Sequence, residues 1–533
     1  MLIGDALRRS SNVYSDKIAV IDKFGKYVPV GSKYTYKELY EVVNRLANGL
    51  VSLGLTKGDR IAVLSEHRIG CVISLLASVK VGLVYSPINP ALLGDEVAYL
   101  IQDSGARAFI VDADLFHKTV EGIRSRLNTV EYLIGMGEGH SCPYVWGTLI
   151  GDNPPTEPQV KLVDDDLATL IYTSGTTGLP KGVPMAHKNW SFSAYMFPAE
   201  QQLKPHWKWL QVLPPYTSGG VGHIIAAVFR GCTNIISDPE PGKMLQIIES
   251  EKVNFMASAP TVMARLVKHP DIDKHDYSSM EAWFTSAAPI SAELLKQAAK
   301  YFGDNFIQPF GTTETALNGL ALQPEEVSLE GPLSRRLTSV GKASLGYEIK
   351  VVDDKGNKVQ PGGIGELLIR GDGVAKGYWN KPEAPDFKDG WWYSGDLVKV
   401  DEDGYIYVVD RKKDMILSGG VNIYPREIED AISTHPGVLL VSVIGVPDEE
   451  WGESVKAVIV PKEGAKITEV EIIEYCKARL ASYKKPRSVD FVSISDMPLM
   501  GGGYKVLKRE LRDRYRRKYE EEKGKKIERW GAI

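Results

Sequence analysis

Residues 60–112 read RIAVLSEHRIGCVISLLASVKVGLVYSPINPALLGDEVAYLIQDSGARAFIVD. Three short runs rich in β-branched residues, RIAVLSEH, LVYSPI and ARAFIVD, alternate with two stretches of helical periodicity. RIGCVISLLASVKVG closes on Gly82 and DEVAYLIQDSG on Gly105, glycine being the residue that ends a helix at least steric cost. Apolar strands alternating with helices predict a parallel sheet covered on both faces. The pattern recurs from about Trp209 to Phe306, as in MLQIIESEKVN followed by FMASAP. No short repeat of solenoid type interrupts it. The expected fold is α/β, with doubly wound, mostly parallel sheets in a large N-terminal domain.

After about residue 340 the texture changes to short strands with turn signals: YEIKVVDDKGN, GELLIRG and LVKVDEDGYIYVV. Asp354-Lys355-Gly356 and Glu402-Asp403-Gly404 predict antiparallel hairpins in a β-rich subdomain. Near Asp410 a small α+β domain begins, with helix REIEDAIST, strands VLLVSVIGV and SVKAVIVP, and helix EVEIIEYCKARL. The expected division is therefore residues 1–409 and 410–533. The tail from Lys508 to Arg529, dense in both charge signs, predicts a solvated helix.

At 533 residues the chain exceeds one ordinary core. Its 43% hydrophobic and 25% charged composition is that of a soluble globular protein. A net charge of -4 argues against a surface built for nucleic acid. The cysteines at 71, 142, 232 and 476 lie far apart, with no ligand spacing for a metal. The N-terminus lacks the apolar core of a signal peptide. The most hydrophobic stretch, Cys71–Ile88, contains Lys80 and ends near Ser86-Pro87, as a buried helix entering a strand does. A cytoplasmic, soluble protein without an integral membrane segment is expected.

The chemistry concentrates at Leu170-Ile-Tyr-Thr-Ser-Gly-Thr-Thr-Gly-Leu-Pro-Lys-Gly-Val183. An apolar run leads into hydroxyl-rich, glycine-rich turns and one lysine. Glycines let successive backbone N–H groups approach an anion, the hydroxyls add donors, and Lys181 adds a point charge. Thr173, Ser174, Gly175, Thr176, Thr177, Gly178 and Lys181 thus make a cradle suited to a polyphosphate. The spacing is not that of a Walker A loop, since counting five residues on from Gly175 reaches Pro180 where its second glycine would be, and Lys181 is followed by Gly182. A solvent loop of turn formers would have no need of this string.

This segment resembles the phosphate-loop signature of the adenylate-forming superfamily, which includes acyl-CoA synthetases, peptide-synthetase adenylation domains and beetle luciferases. Further motifs follow in that family's order, and the likeness runs from about residue 5 to about residue 512. It implies ATP, Mg²⁺ and coenzyme A as cofactors and co-substrates, and a mobile small domain. Ser286-Ala-Ala-Pro289 resembles the loop beside adenine, implying contacts from Ala287 and Ala288. Phe310-Gly-Thr-Thr-Glu314 resembles an aromatic-Gly-x-Thr-Glu motif that puts Phe310 on adenine, Gly311 and Thr312 beside the nucleotide, and Thr313 at the α-phosphate. Glu314 would hold Mg²⁺, a hard cation suited to a carboxylate plus phosphate oxygens. Most relatives carry Tyr at the place of Phe310; the ring is retained.

Tyr393-Ser-Gly-Asp396 resembles the ribose motif, where one carboxylate accepts from two hydroxyls. Gly365-Glu-Leu and Gly377-Tyr-Trp379 match nearby signatures and read as structural. Asp410-Arg-Lys-Lys-Asp-Met-Ile416 resembles the interdomain junction, implying Arg411 at the ribose and Lys413 as the hinge. Gly419-Gly420 resembles the loop beside the pantetheine tunnel of the CoA-binding step. Met497-Pro-Leu-Met-Gly-Gly-Gly-Tyr-Lys505 resembles the catalytic-lysine loop. Here Tyr504 replaces the usual glycine and the Pro-to-Lys spacing is one residue longer; Lys505 is preferred to Lys508.

The resemblance implies an acid-thiol ligase with catalytic residues Lys505, Glu314 and Thr173. It would convert a carboxylic acid to an acyl-adenylate and then to acyl-CoA. The acyl pocket is expected at Tyr216, Thr217 and Gly311. Acetyl-specific relatives place Trp at the position of Gly311, so glycine argues for a larger acid: medium- or long-chain fatty, or aryl. Thr217 stands where many relatives carry a histidine facing the carboxylate. His223 close by reads as structural. A freestanding aryl- or amino-acid adenylating enzyme loading a carrier protein is the alternative. A nucleotide sensor without catalysis is disfavoured, because it has no need of Lys505.

Overall fold

The computed structural model describes residues 1–24, 32–173, 179–285, 288, 290–500 and 505–523, with backbone alone at 500 and 505. The described chain divides into two compact units, Met1–Ile349 with Ile369–Tyr393, and Lys350–Leu368 with Ser394–Ile533. The fold is mixed α/β, with parallel sheets in the larger unit, a β-rich stretch and a small α+β C-terminal part.

In the larger unit a seven-stranded sheet runs in the order Tyr144–Val145, Tyr132–Met136, Ala108–Asp112, Arg60–Leu64, Val84–Ile88, Leu167–Thr173, Lys181–Ala186. Every neighbouring pair is parallel except the last. The strands of the opening stretch therefore form where their apolar runs place them. Helix Ile69–Lys80 between two of them is buried on every side, which explains its unbroken apolar sequence. Gly82 ends it at φ +74°, and Gly105 caps helix Gly94–Ser104 at φ +60°.

A nine-stranded sheet has a parallel centre of Phe306–Gly311, Ala282–Thr285, Phe255–Ser258, Lys208–Gln211, Thr233–Ile236 and Ile18–Asp22. Antiparallel strands flank it: Gly319–Leu322 and Lys342–Ala343 on one side, Lys33–Thr35 on the other. Its core is aromatic, with Trp207 stacked on Phe255 at 5.1 Å and Trp209 edge-on to Phe255 at 4.8 Å. Helix Ser218–Arg230 packs here, its N-terminus capped by Thr217, whose Oγ1 accepts from Gly220 N at 3.2 Å.

In the smaller unit both expected hairpins form, each turn opening on an aspartate. Asp353 Oδ1 accepts from Lys355 N and Asn357 N, and Asp401 Oδ1 from Asp403 N and Tyr405 N. Gly356 and Gly404 follow at φ +81° and +84°. Strands Val438–Asp448 and Gly452–Pro461 form a long antiparallel pair, joined by Ser488–Phe491 in parallel. Helices Pro425–Ser433 and Glu469–Lys477 contribute Ile428, Ile432, Ile472 and Cys476 to the core beside this sheet. The tail helix Lys508–Lys523 is less solvated than its composition predicts. Leu511 is buried against Ile444, Val458 and Val460, Lys508 pairs with Glu429 at 2.8 Å, and Arg512 pairs with Asp414 at 2.6 Å. No helix among the described residues is long and apolar enough to cross a membrane.

Candidate active site

Thr173 and Lys181 face each other across the antiparallel pair Leu167–Thr173 and Lys181–Ala186. The two strands hold both ends of the glycine-rich loop. The Thr173 hydroxyl donates to the Lys181 carbonyl at 3.4 Å. Ser174, Gly175, Thr176, Thr177 and Gly178 lie outside the described residues, as does Ala287; Ala288 is exposed. Lys181 is 8% exposed. Its Nζ pairs with Asp386 at 3.1 Å and stands 4.4 Å above the ring of Tyr378. A buried ammonium needs such partners to remain charged.

The Tyr378 hydroxyl donates to Glu314 Oε1 at 3.0 Å, and Glu314 is likewise buried. Burial, together with the neighbouring Glu314 carboxylate, pushes the Tyr378 phenol far above its ordinary value, so it remains a donor. One tyrosine thus touches the phosphate-loop lysine with its face and the expected Mg²⁺ ligand with its hydroxyl. Backbone contacts fix the arrangement: Ala375 N donates to the Glu314 carbonyl at 2.7 Å, and Trp379 N to the Gly182 carbonyl at 2.8 Å. Among the described residues no group of three or more His, Cys, Asp or Glu side chains could hold a metal. A single carboxylate is compatible with Mg²⁺, which is commonly held by one or two carboxylates and substrate phosphates.

Phe310 and Gly311 end strand Phe306–Gly311, with Phe310 partly exposed and opposite Leu320. A Cβ on Gly311 would overlap the backbone C and O of Leu317, so no larger residue fits this backbone. Gly311 therefore has a local packing reason besides the acyl-pocket role expected of it. Thr312 N is bonded to Thr315 Oγ1 at 3.0 Å. The Thr313 hydroxyl donates to Ser218 Oγ at 2.9 Å, joining the Phe310–Glu314 motif to the first turn of helix Ser218–Arg230. Thr217 is committed to that helix: besides capping it, its hydroxyl donates to the Pro214 carbonyl at 2.7 Å. Tyr216 is partly buried, which pushes its phenol up to about 12. His223 is enclosed by Trp209 at 4.8 Å, Phe284 at 5.2 Å and Phe197 at 5.3 Å. Burial lowers it to about 3, so it is a neutral core ring.

In the smaller unit the two ribose candidates meet. Asp396 and Arg411 are cross-strand partners, with Arg411 Nε 2.7 Å from Asp396 Oδ1. Asp396 is 3% exposed, and Arg411 Nη1 also donates to the Ser394 carbonyl at 3.3 Å. Lys413 lies in the short 3₁₀ turn Lys412–Asp414; its neighbour Lys412 pairs with Asp354 at 3.0 Å and Glu366 at 3.2 Å. Gly419 and Gly420, at φ +57° and +79°, form the two-residue turn between Ile416–Ser418 and Val421–Ile423. Consecutive positive φ values are what a type I′ hairpin requires. A Cβ on Gly419 would press on Trp451 at 2.5 Å, whereas Gly420 faces open space. Lys505 is paired with Met500 by backbone in a two-residue ribbon.

Sequence reasoning assigned Tyr378 to structure although its string was in view, and it carried no signal for Asp386 or Ser218. Their importance arises from contacts that only folding creates.

Residues 7–379 match the family described as AMP-binding enzyme, and residues 427–503 match the AMP-binding enzyme C-terminal domain. A feruloyl-CoA synthase of Amycolatopsis is 35% identical over 91% of this chain and 94% of its own. The long-chain-fatty-acid–CoA ligase FadD13 of Mycobacterium tuberculosis is 33% identical over 91% of this chain and 93% of its own. Among solved structures, the anthranilate CoA ligase AuaEII in complex with anthranoyl-AMP superposes with a TM-score of 0.87. It is 28% identical, with 97% of each chain covered.

Proposed function

We propose a specific activity from the premise that this chain belongs to the AMP-binding enzyme family. As a member of the AMP-forming acyl-CoA synthetases it is an enzyme. Its reaction is the activation of a medium- or long-chain fatty acid or an aryl acid, followed by transfer to coenzyme A. The observation that carries this reading is the Tyr378 bridge, which holds a buried cation and a buried carboxylate ready beside the glycine-rich loop.

In the first step a substrate carboxylate oxygen attacks the α-phosphorus of ATP, and the bond to the bridging oxygen of pyrophosphate breaks. The substrate is the nucleophile, so no catalytic triad is required. What the protein must supply is alignment of two anions and stabilisation of the charge that develops between them. Lys181 and the Thr173–Gly178 loop serve the β- and γ-phosphates, and Thr313 the α-phosphate. Phe310 and Ala287–Ala288 bracket adenine, while Asp396 and Arg411 hold the ribose. Glu314 would hold Mg²⁺, which when bound neutralises phosphate charge. Lys505 bridges the carboxylate and α-phosphate oxygens.

In the second step the CoA sulfur attacks the acyl carbon, the bond to AMP breaks, and the thiol proton is released. That attack needs a different approach to the same carbon. We assign the change to rotation of the small domain, residues 410–533, about Lys413. The rotation exchanges Lys505 for Gly419–Gly420, and a few torsions at one hinge are sufficient for it.

The test is pyrophosphate release by purified protein with ATP and Mg²⁺ across fatty, aryl and amino acids, with and without CoA. Acid-dependent release, with thioester formed only when CoA is present, is the expected result. Release that no acid stimulates overturns the reading. Acid-dependent release without thioester moves the acceptor to a carrier protein.

A further inference from the structure

Both ends of the glycine-rich loop are tied to the end of one helix. Helix Gly94–Ser104 carries Tyr99 and Asp103 four residues apart, so the two share a face. The Tyr172 hydroxyl donates to Asp103 Oδ2 at 2.6 Å, and Tyr172 is the residue before Thr173. One turn earlier the Tyr99 hydroxyl lies 3.5 Å from the carbonyl of Pro180, the residue before Lys181, at the outer limit of a hydrogen bond. The Asp103 carbonyl accepts from Trp379 Nε1 and Asn380 Nδ2, both at 3.0 Å, and Trp379 follows Tyr378.

The helix end is itself held. Arg60 donates from Nε to the Ser104 carbonyl and from Nη2 to the Gly105 carbonyl, each at 2.8 Å, so these terminal carbonyls have side-chain partners. The Asp103 carboxylate has the opposite standing. An acid in the last turn opposes the helix macrodipole, and no basic residue in that turn offsets it. What it gains is Tyr172. Burial first, and the Asp103 carboxylate second, push that phenol far above its ordinary value, so the hydroxyl stays a donor. Gly182 completes the layer. It is paired with Tyr172 across the strands, and a Cβ there would stand 3.2 Å from the Tyr172 ring and 3.1 Å from Trp379 Cβ. The ring and Trp379 therefore both pack on the backbone that carries Lys181.

We propose that Asp103 is a positioning residue for ATP: acting through Tyr172, its carboxylate fixes the strand end from which the glycine-rich loop departs. The inference rests on the proposed assignment of Thr173–Lys181 to the polyphosphate. A displaced Tyr172 would carry Thr173 and its cross-strand partner Lys181 away from the phosphates, so the defect should fall on ATP and spare the acid.

The experiment makes two measurements on the full chain: calorimetric binding of ATP with Mg²⁺ in the absence of acid, and acid-dependent ATP–pyrophosphate exchange at varied ATP and varied acid. Wild type, Asp103→Ala, Asp103→Asn, Tyr172→Phe and the double variant Asp103→Ala/Tyr172→Phe are compared after their melting temperatures are measured. Asp103→Ala and Tyr172→Phe should each weaken ATP binding and raise KM for ATP by about tenfold, the lower end of what one hydrogen bond to a charged group contributes. KM for the acid should stay within about twofold. The double variant should be no worse than the poorer single, because both changes remove the same contact. Asp103→Asn keeps an oxygen for the hydroxyl and should recover most of the affinity. Tyr172→Phe removes one oxygen alone, so it keeps the test open if Asp103→Ala does not fold. A folded Tyr172→Phe with a lowered melting temperature and unchanged ATP affinity, or additive losses in the double variant, overturns the proposal while leaving the ligase reading intact. Wild type that exchanges with no acid would strike the ligase reading instead, and the binding measurement would still decide this inference.

Discussion

Replacing Tyr378 by phenylalanine deletes one oxygen and keeps the ring beneath Lys181. The lost bond is the 3.0 Å donation to Glu314 Oε1. Tyr378 and Glu314 are each 8% exposed, so water cannot readily replace the missing donor. A hydrogen bond to a charged group contributes about 1.5–3 kcal/mol. If Glu314 is held for catalysis by this bond, the loss appears in the transition state. At about 1.4 kcal/mol per factor of ten, adenylation should then slow by roughly 10- to 100-fold. The assay is acid-dependent ATP–pyrophosphate exchange, which reads the first step alone. Tyr378→Leu, which also removes the ring, should fall further, because the cation–π contact with Lys181 is lost as well. A Tyr378→Phe enzyme within about twofold of wild type, beside a Glu314→Gln enzyme that is nearly dead, would refute the argument that the hydroxyl positions Glu314.

The remaining expectations concern the small domain and the buried charges. Lys505→Ala should suppress exchange while sparing thioester formation from supplied acyl-adenylate, and Lys413→Pro should do the reverse; loss of both steps in each variant would count against domain alternation. Glu429→Gln leaves Lys508 opposite a neutral amide, with only 17% of that lysine side chain exposed. The cost should be about 2–3 kcal/mol, below that of breaking a fully buried pair, and visible as an earlier thermal transition of the full chain. For pH, burial lowers His223 to about 3 and His67 and His187 to about 4, from an ordinary 6.5. These rings stay neutral in the fold but take up protons when unfolded, so their stability contribution is complete above 6.5 and declines as pH falls. The slope is about 1.4 kcal/mol per pH unit for each histidine. His223→Phe should therefore flatten the drop in urea midpoint between pH 7 and 5, and an unchanged slope would contradict a neutral buried ring.

What could be read in advance follows the physics of each signal. The parallel sheets were legible because strands buried on both faces leave unbroken apolar runs, as at Arg60–Leu64 and Ala108–Asp112. The hairpin turns were legible too, displaced by one residue, since Asp353 and Asp401 organise them with their side chains. The Asp396–Arg411 pair was readable as two motif residues but not as a contact. Their meeting depends on cross-strand register and on an irregularity between Leu397 and Val398. Leu317 was invisible, since turn rules look for Gly or Asn at positive φ, and the turn that carries this leucine is held in part by distant Ser193 and Tyr347, which donate to the Ala316 and Thr315 carbonyls. The tail was misjudged in degree because composition cannot tell which lysine of a charged helix faces Glu429.

One regularity links these contacts to the proposed chemistry. Among the described side chains, each ionic group assigned to ATP already has a partner within its own unit: Lys181 has Asp386 and Tyr378, Glu314 has Tyr378, and Asp396 has Arg411. A lone buried charge costs several kcal/mol and would shift toward its neutral form, so a site of unpartnered ions would disarm itself before substrate arrived. Pairing keeps the groups charged and oriented while excluding water, which is the condition under which fixed charges stabilise a transition state most strongly. On the proposed reading, binding would be an exchange. A phosphate reaching Lys181 would replace one carboxylate with a more highly charged anion, with little new desolvation. The Tyr378 ring would stay beneath the ammonium and its hydroxyl would keep Glu314 aimed, so binding of the polyphosphate and placement of its cation would depend on the same side chain.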